Sequence, residues 1–283
     1  MSTPYIGRLA PSPTGLLHLG HAATFYVAFQ RARESGGTLL LRNEDLDPQR
    51  SRPEYIAAML EDLAWLGIAW QPPMLSQSER RPAYRTAFEQ LLAAGHIYAC
   101  TCTRRDLATM MHAPHDDEDE PLYSGHCRPQ SPLTTALPTA NYRFRVPDGE
   151  TIHFLDHNLG PQAFTAGCGP GADFGDFLVW RRSLTNDPAD LGLPSYQLAC
   201  VVDDAHQRIT EVARGADLLK STARQILLQR ALGLPPVDYF HTTLLRDEHG
   251  VRLAKRHDAL AIRTLREQGL SSAEVLTRIQ LSV

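Results

Sequence analysis

The spacing of apolar positions changes several times along this chain, and each change marks an element. Residues 5–9 read as a short strand. Between 22 and 35, Ala22, Phe25, Tyr26, Phe29 and Ala32 share one helical face, and Gly36-Gly37 stops that helix. Residues 38–41 return to a strand. Strand, tight loop, helix and strand make half of a doubly wound nucleotide-binding sheet, whose ligands sit at the carboxyl ends of the strands. Arg8 and Glu44 fall at those ends. Two amphipathic helices follow. One, over 53–66, carries Ile56, Met59, Leu60, Leu63 and Leu66 and stops at Gly67. The other, over 80–94, carries Phe88, Leu91 and Leu92 and stops at Gly95. Both stripes are assigned to core.

The second part of the chain is more broken. Residues 131–139 are rich in Pro and Thr and read as a linker. Residues 141–146 and 151–155 alternate as strands about a turn at Pro147-Asp148-Gly149. Residues 176–181 read as a strand. Residues 194–204 are a mostly apolar run ending in Asp203-Asp204, which suits a central strand with its carboxyl end at the site. Residues 209–219 read as a strand turning at Gly215 into a helix that runs to Leu232 and ends at Gly233. Residues 241–246 and 251–253 read as a hairpin. The expectation is an α/β protein of Rossmann type. Residues 1–95 form its first half, 96–185 an inserted subdomain, 186–240 the second half, and 241–283 a loop with a short helical C-terminal part.

Composition narrows the class without naming a function. The chain has 283 residues, 43% hydrophobic and 21% charged, as expected of a globular enzyme with a real core. No run approaches the ~18 apolar residues needed to cross a membrane, and no basic stretch leads into an apolar one at the start. Five cysteines are an odd count, too few for a disulfide framework at this length, which points to a reducing cytosol. The net charge of −4 means that any RNA contact needs a local basic patch. The acidic run at residues 115–120 would repel phosphate and reads as a solvated face away from RNA.

Three stretches carry candidate chemistry. In Arg8-Leu-Ala-Pro-Ser-Pro-Thr-Gly-Leu-Leu-His-Leu-Gly-His21, two prolines and a glycine fix a loop, and Ser12 and Thr14 offer hydroxyls. The helix that follows begins with unpaired N–H groups and a partial positive charge, an anion site. His18 and His21, three apart, both project from that helix start. The second stretch is Cys100-Thr-Cys102 with Cys127 25 residues on. Two thiolates on a turn and a third from beyond can close a tetrahedron with an N or O ligand. Cys200 reads as core, and Cys168 has no assigned role. The third stretch, Arg252-Leu-Ala-Lys255-Arg256, puts cations on a loop.

The first stretch resembles the HIGH signature of class I aminoacyl-tRNA synthetases, and its Pro-Ser-Pro-Thr-Gly resembles the glutamyl and glutaminyl branch. Arg42-Asn-Glu-Asp-Leu-Asp47 resembles the Arg-x-Glu-Asp-x-Asp segment of glutamyl synthetases. Tyr196-Gln-Leu-Ala, Val201-Val-Asp-Asp204 and Val212-Ala-Arg-Gly-Ala-Asp-Leu-Leu219 resemble segments of the glutamyl-queuosine tRNA(Asp) synthetases almost word for word. The similarity runs from about residue 5 to about residue 269.

This resemblance implies a catalytic role for His18, His21 and Lys255. It implies a glutamate site at Arg8, Ser12, Glu44, Tyr196 and Arg214, and an ATP site of Pro11, Thr14, Gly15, Gly20, His18, His21 and Lys255. Lys255 matches the second lysine of the KMSKS loop, while Arg252 and Ala254 depart from that pattern. For Arg214 a structural ion pair with Asp203 or Asp217 is the competing role. The pattern Cys-x-Cys…Tyr-x-x-x-Cys resembles the structural zinc site of short glutamyl-synthetase-like proteins, with Cys100, Cys102, Cys127 and Tyr123 as ligands; His126 competes for the fourth position. The family's activity needs ATP with Mg²⁺, L-glutamate and the anticodon stem-loop of queuosine-containing tRNA(Asp), and implies a cytoplasmic monomer. Only 28 residues follow Lys255, fewer than an anticodon-reading domain requires.

Overall fold

The computed structural model describes residues 4–103, 106, 122–129, 140–183, 185, 190–244 and 261–280. Lys255, Arg252, Ala254, the acidic run at 115–120, the 131–139 stretch and the second limb of the expected 241–253 hairpin lie outside the described residues.

The first half unfolds as its periodicity predicts. Strand β1 (Ile6–Leu9) leads into helix α1 (Leu19–Glu34), then strand β2 (Thr38–Asn43), helix α2 (Pro53–Trp65), strand β3 (Gln71–Ser76) and helix α3 (Arg81–Ala93). The Gly36-Gly37 stop has a double cause. Gly36 takes φ 60°, and a Cβ on Gly37 would sit 2.5 Å from the Tyr5 carbonyl oxygen. Strand β3 has no counterpart in the expected elements. Its Pro72-Pro73 hides a strand, and the position is tolerated because β3 lies at the edge of its sheet.

The remaining elements are strands β4 (Ile97–Cys100), β5 (Asn141–Phe144), β6 (Thr151–Asp156), β7 (Gly160–Thr165), β8 (Leu178–Arg181) and β9 (Leu193–Pro194), helix α4 (Tyr196–His206), strand β10 (Glu211–Gly215), helix α5 (Leu219–Leu232), strand β11 (Asp238–Thr242), and helices α6 (Ile262–Glu267) and α7 (Ser272–Gln280). Strands β1, β2 and β3 form one parallel sheet, and β10 and β11 pair in parallel in a second. The two sheets meet along β1 and β10. There the Thr210 N–H donates to the Ile6 carbonyl at 2.8 Å, and the Ile6 N–H donates to Thr210 Oγ1 at 2.8 Å. The resulting order β3-β2-β1-β10-β11 reverses direction between β1 and β10. Ligands of such folds bind at that reversal, beyond the carboxyl ends of the two strands.

Two expectations are corrected. The run 194–204 is a helix, not a central strand. Ser195 caps it, its hydroxyl accepting from the Leu198 N–H at 3.4 Å. Leu198, Ala199, Cys200, Val201, Asp203 and Asp204 are all buried, so the helix shows no polar stripe, and periodicity cannot separate it from a buried strand. The strands at 141–146 and 151–155 exist, but they are not paired with each other. Strand β5 lies between β4 and β8 in an antiparallel sheet, while β6 pairs with β7 and, at Tyr239, with β11. The turn at Pro147-Asp148-Gly149 is a passage between sheets. The first limb of the expected 241–253 hairpin begins within β11, which is parallel to β10.

Two apolar clusters hold these layers. One packs Leu9, Ala22, Leu41, Met59 and Leu63 with Ile262, Val275 and Ile279 of the C-terminal helices. The other packs Phe88, Tyr142, Phe144 and Trp180 with Leu198 and Leu228, so α3, α4 and α5 sit on the antiparallel sheet. Among the described residues no helix is long and apolar enough to cross a membrane.

Candidate active site

The signature loop is pinned by its backbone. The Glu44 N–H donates to the Pro11 carbonyl at 3.0 Å, the Arg52 N–H to that of Pro13 at 3.2 Å, and the Thr14 N–H to that of Ser12 at 2.8 Å. One bond thus ties the expected nucleotide loop to the expected glutamate residue. His18 is the N-cap residue of α1 and His21 lies in its first turn, with ring centroids 6.1 Å apart. Among the described residues, a Cβ on Gly15 or Gly20, either side of the helix start, would meet nothing within 4 Å, leaving room for an anion there. The Ile262 N–H donates to the Leu17 carbonyl at 2.8 Å, and Ala261 forms a bridge with His18. The chain therefore comes back against the signature six residues after Lys255.

At the sheet reversal the structure gathers Arg8, Glu44, Tyr196 and Arg214. Arg8 is buried in β1. Its Nη1 donates to the Ala213 carbonyl at 3.1 Å, and its Nε lies 3.4 Å from Asp204 Oδ1. Glu44 is 9% exposed and follows β2. Burial raises its carboxyl above the ordinary range, and the charge of Arg42 acts the other way. Its Oε1 accepts from Arg42 Nη2 at 3.3 Å and from the Cys200 thiol at 3.4 Å. Arg214 is the next-to-last residue of β10 and is 4% exposed. Its Nη1 donates to Gln225 Oε1 at 2.8 Å and to the Tyr196 hydroxyl at 3.4 Å, and its Nη2 to Thr222 Oγ1 at 2.8 Å. Among the described residues no carboxylate lies within ion-pair distance of Arg214, so neither Asp203 nor Asp217 is its partner. Ser12 is exposed, and among the described residues no hydrogen bond joins its side chain to this group.

At the centre of this group is a residue that patterning does not reveal. Arg42 is fully buried and donates to Asp204 Oδ1 at 2.6 Å, to Gln207 Oε1 at 3.1 Å and to Glu44. Burial resists the charge on Asp204, but Arg42 and then Arg8 hold its carboxyl below the ordinary range. The neighbouring acid faces elsewhere. Asp203 accepts from Arg80 Nε at 2.7 Å, Gln77 Nε2 at 3.0 Å and the Tyr84 hydroxyl at 2.6 Å, knitting α4 to α3. Successive helical residues point ~100° apart, so the Asp203-Asp204 pair serves two sides. An Asp-Asp pair at a suspected site, with buried arginines upstream, is the signal that could have located Arg42.

The lining thus holds three guanidinium groups, of Arg8, Arg42 and Arg214, against two carboxylates, of Glu44 and Asp204. All five are nearly or fully removed from solvent. Such a cluster carries one more positive than negative charge, which favours an anionic ligand.

A second cluster sits at the end of β4. The sulfur atoms of Cys100, Cys102 and Cys127 all lie within 4.8 Å of one another. The Tyr123 hydroxyl is 3.5 Å from Cys100 Sγ and 3.6 Å from Cys102 Sγ, and it accepts the Cys127 N–H at 2.9 Å. Tyr123 is 2% exposed, whereas His126 points to solvent. Burial opposes ionisation of Cys127, yet hydrogen bonds led by the Tyr123 hydroxyl bring its thiol down to about 7. Three soft donors and one oxygen at this spacing fit a tetrahedral ion, whose sulfur ligands lie about 2.3 Å from the metal. Cys168 and Cys200 stand outside the cluster.

Residues 6–282 match the family of tRNA synthetases class I (E and Q), catalytic domain. A glutamyl-Q tRNA(Asp) synthetase of Symbiobacterium thermophilum is 44% identical over 95% of this chain and 84% of its own. One of Rhodobacter capsulatus is 40% identical over 98% of this chain and all of its own. Among solved structures, the glutamate-tRNA synthetase of Elizabethkingia anophelis superposes with a TM-score of 0.74 at 26% identity, over 95% of this chain and 54% of that one. With its parallel sheet, signature loop and buried arginine pocket, the chain belongs to the glutamyl and glutaminyl branch of the class I tRNA synthetases, and within it to the glutamyl-Q tRNA(Asp) synthetase family.

Proposed function

We propose that this protein is a ligase that activates L-glutamate with ATP and transfers it to the queuosine base in the anticodon loop of tRNA(Asp). The observation that carries the first half is the charge of the pocket: three buried guanidiniums against two buried carboxylates. Zwitterionic glutamate, with two carboxylates and one ammonium, brings the missing negative charge. Arg214, held only by neutral partners, keeps its charge for a substrate carboxylate, and Arg8 lies across the reversal from it. Glu44 offers its carboxylate to the ammonium. Glutamine would leave a buried cation unpaired, which disfavours it.

The α-carboxylate attacks the α-phosphate of ATP, giving glutamyl-adenylate and pyrophosphate. Charge grows on phosphate oxygens beside His18, His21 and the N-terminus of α1, with Lys255 neutralising the triphosphate. Pro11, Thr14, Gly15 and Gly20 shape the ATP site, and Ser12 extends the amino acid site. Mg²⁺ bound with ATP supplies charge neutralisation on the leaving pyrophosphate. In the second step a hydroxyl of the queuosine cyclopentene ring takes the glutamyl group and AMP leaves. Cys100, Cys102, Cys127 and Tyr123 would hold one structural zinc ion, since four protein ligands leave no open position. We place this activity in a cytoplasmic monomer acting on the anticodon stem-loop. Relatives bearing this activity in their names match across 78% to all of their own length.

Glutamate-dependent ATP–pyrophosphate exchange in the absence of tRNA tests activation, and no exchange would overturn it. The acceptor is tested with labelled glutamate and tRNA(Asp) that contains or lacks queuosine, each intact or trimmed of its 3′ nucleotide. Label should follow queuosine and survive trimming. Label that needs the 3′ terminus and ignores queuosine would make the protein a synthetase of the ordinary acceptor end.

A further inference from the structure

Behind Arg214 stands a pair of residues that the expected site does not include. Asp156 ends β6 and is fully removed from solvent. It accepts the N–H groups of Asn158 at 3.0 Å, Leu159 at 2.8 Å and His241 at 3.0 Å. Its Oδ2 lies 2.6 Å from Nδ1 of His241, a fully buried residue of β11. On the other edge of the ring, Nε2 lies 3.3 Å from Arg214 Nε and 3.1 Å from Thr222 Oγ1.

These contacts dictate the state of the ring. Burial works against the charge on Asp156, but His241 and the backbone N–H groups hold its carboxyl below the ordinary range, so it only accepts. The hydrogen between Asp156 and His241 therefore belongs to Nδ1. A guanidinium can only donate, so Nε2 must be the acceptor for the Arg214 Nε–H. Burial, with the Arg214 charge, pushes the imidazole down to about 4, which keeps it neutral. With Gln225 on Nη1 and Thr222 on Nη2, all three guanidinium nitrogens have a fixed neutral acceptor, and the plane of the group is set. A carboxylate in the place of the ring would form a direct ion pair with Arg214 and compete with the substrate for it. The imidazole transmits orientation while keeping the Asp156 charge one ring away.

We propose that His241, held by Asp156, is a positioning residue that fixes the plane of Arg214 and thereby sets the preference for glutamate over glutamine. This rests on the reading of Arg214 as the partner of a glutamate carboxylate.

Two substitutions separate the two edges of the ring. His241→Asn keeps a donor toward Asp156 and loses the acceptor toward Arg214; His241→Gln keeps an acceptor at the place of Nε2 and loses the donor. Each is measured by ATP–pyrophosphate exchange with glutamate and with glutamine. His241→Asn should raise the KM for glutamate about tenfold or more and lower the glutamate-to-glutamine ratio of kcat/KM to a similar degree, roughly 1.4 kcal/mol. Its KM for ATP should stay within about twofold of the parent, and His241→Gln should keep the glutamate-to-glutamine ratio of kcat/KM within about threefold of the parent. A ring that only braces β6 against β11 predicts the reverse order, with Asn mild and Gln severe. That order, or equal effects of the two, would overturn the proposal while leaving the functional reading intact. A parent protein without glutamate-dependent exchange would remove the functional reading, and this inference with it.

Discussion

The arginine–carboxylate cluster and the thiol cluster are both convergences of polar groups, yet they are assembled by opposite means. The first draws Arg8, Arg42, Glu44, Asp204, Arg214 and His241 from five elements spread over more than 230 residues, and every charged group in it already has protein partners. Its geometry is a property of the fold. The thiol cluster draws Cys100, Cys102, Tyr123 and Cys127 from 28 residues, and its donors meet mainly one another. Sulfur and phenol oxygen packed face to face gain little without a cation between them. A pre-organised site stabilises a transition state without moving. A ligand-organised site stabilises the chain around it.

That contrast can be broken at either end. The largest effect is expected from Arg214→Ala, which strands the neutral acceptors of a buried cation and removes the substrate's partner. The kcat/KM for glutamate in the exchange reaction should fall about a hundredfold or more, roughly 2.7 kcal/mol. A loss below threefold would dissolve the idea of a fold-built pocket. Cys127→Ser attacks the other end. Purified parent protein should carry one zinc per chain by elemental analysis and the variant far less, with thermal stability lowered by about 2 kcal/mol. Parent protein without metal would retire the cluster as an ion site. Lys255→Ala tests the resemblance of its loop to the KMSKS motif. It should slow exchange about tenfold, roughly 1.4 kcal/mol, and an unchanged rate would remove Lys255 from the mechanism.

The smallest effect concerns a buried acid that belongs to neither site. Asp62 on α2 is fully buried, and neither carboxylate oxygen has a hydrogen-bond partner among the described residues. Burial raises its pKa to about 6, against the pull of Arg263 and Arg266 on α6. The folded protein therefore holds a proton between about pH 4 and 6 that the unfolded chain has released, so this group costs stability as pH rises through that window. Asp62→Asn should raise stability by about 1 kcal/mol at pH 7.5 and change it little at pH 4, measured by denaturant melts. Equal effects at both values would assign Asp62 a partnered role.

Much of this arrangement was legible before the structure. The signature loop, the helix start and the acid after β2 are local features, and Arg8, Glu44, Tyr196 and Arg214 do meet. Of the two candidates for a fourth donor, Tyr123 is buried beside the three sulfurs and His126 is exposed, a difference no spacing rule contains. What escaped was of two kinds. Residues 194–204 read as a strand because the helix buries most of this run and no polar stripe shows in it. Arg42, Asp156 and His241 escaped because each works through residues far off in the chain. Arg42 reads as an ordinary strand-end cation until Asp204, 162 positions away, is seen to accept from it. Nothing in the sequence around His241 points to Asp156, 85 positions away, whose carboxylate holds its ring.

The split orientation of Asp203 and Asp204 carries a consequence for how relatives should vary. The two letters are adjacent and chemically identical, yet one is bound to the fate of Arg80 and Tyr84 and the other to that of Arg8 and Arg42. Changes at position 203 should travel with changes at 80 and 84 and leave substrate choice alone. Changes at 204 should be tolerated only where 8 and 42 change too. In an alignment, neighbouring columns would then belong to separate lineages of compensation, one recording how the layers stay together and the other recording what the enzyme accepts.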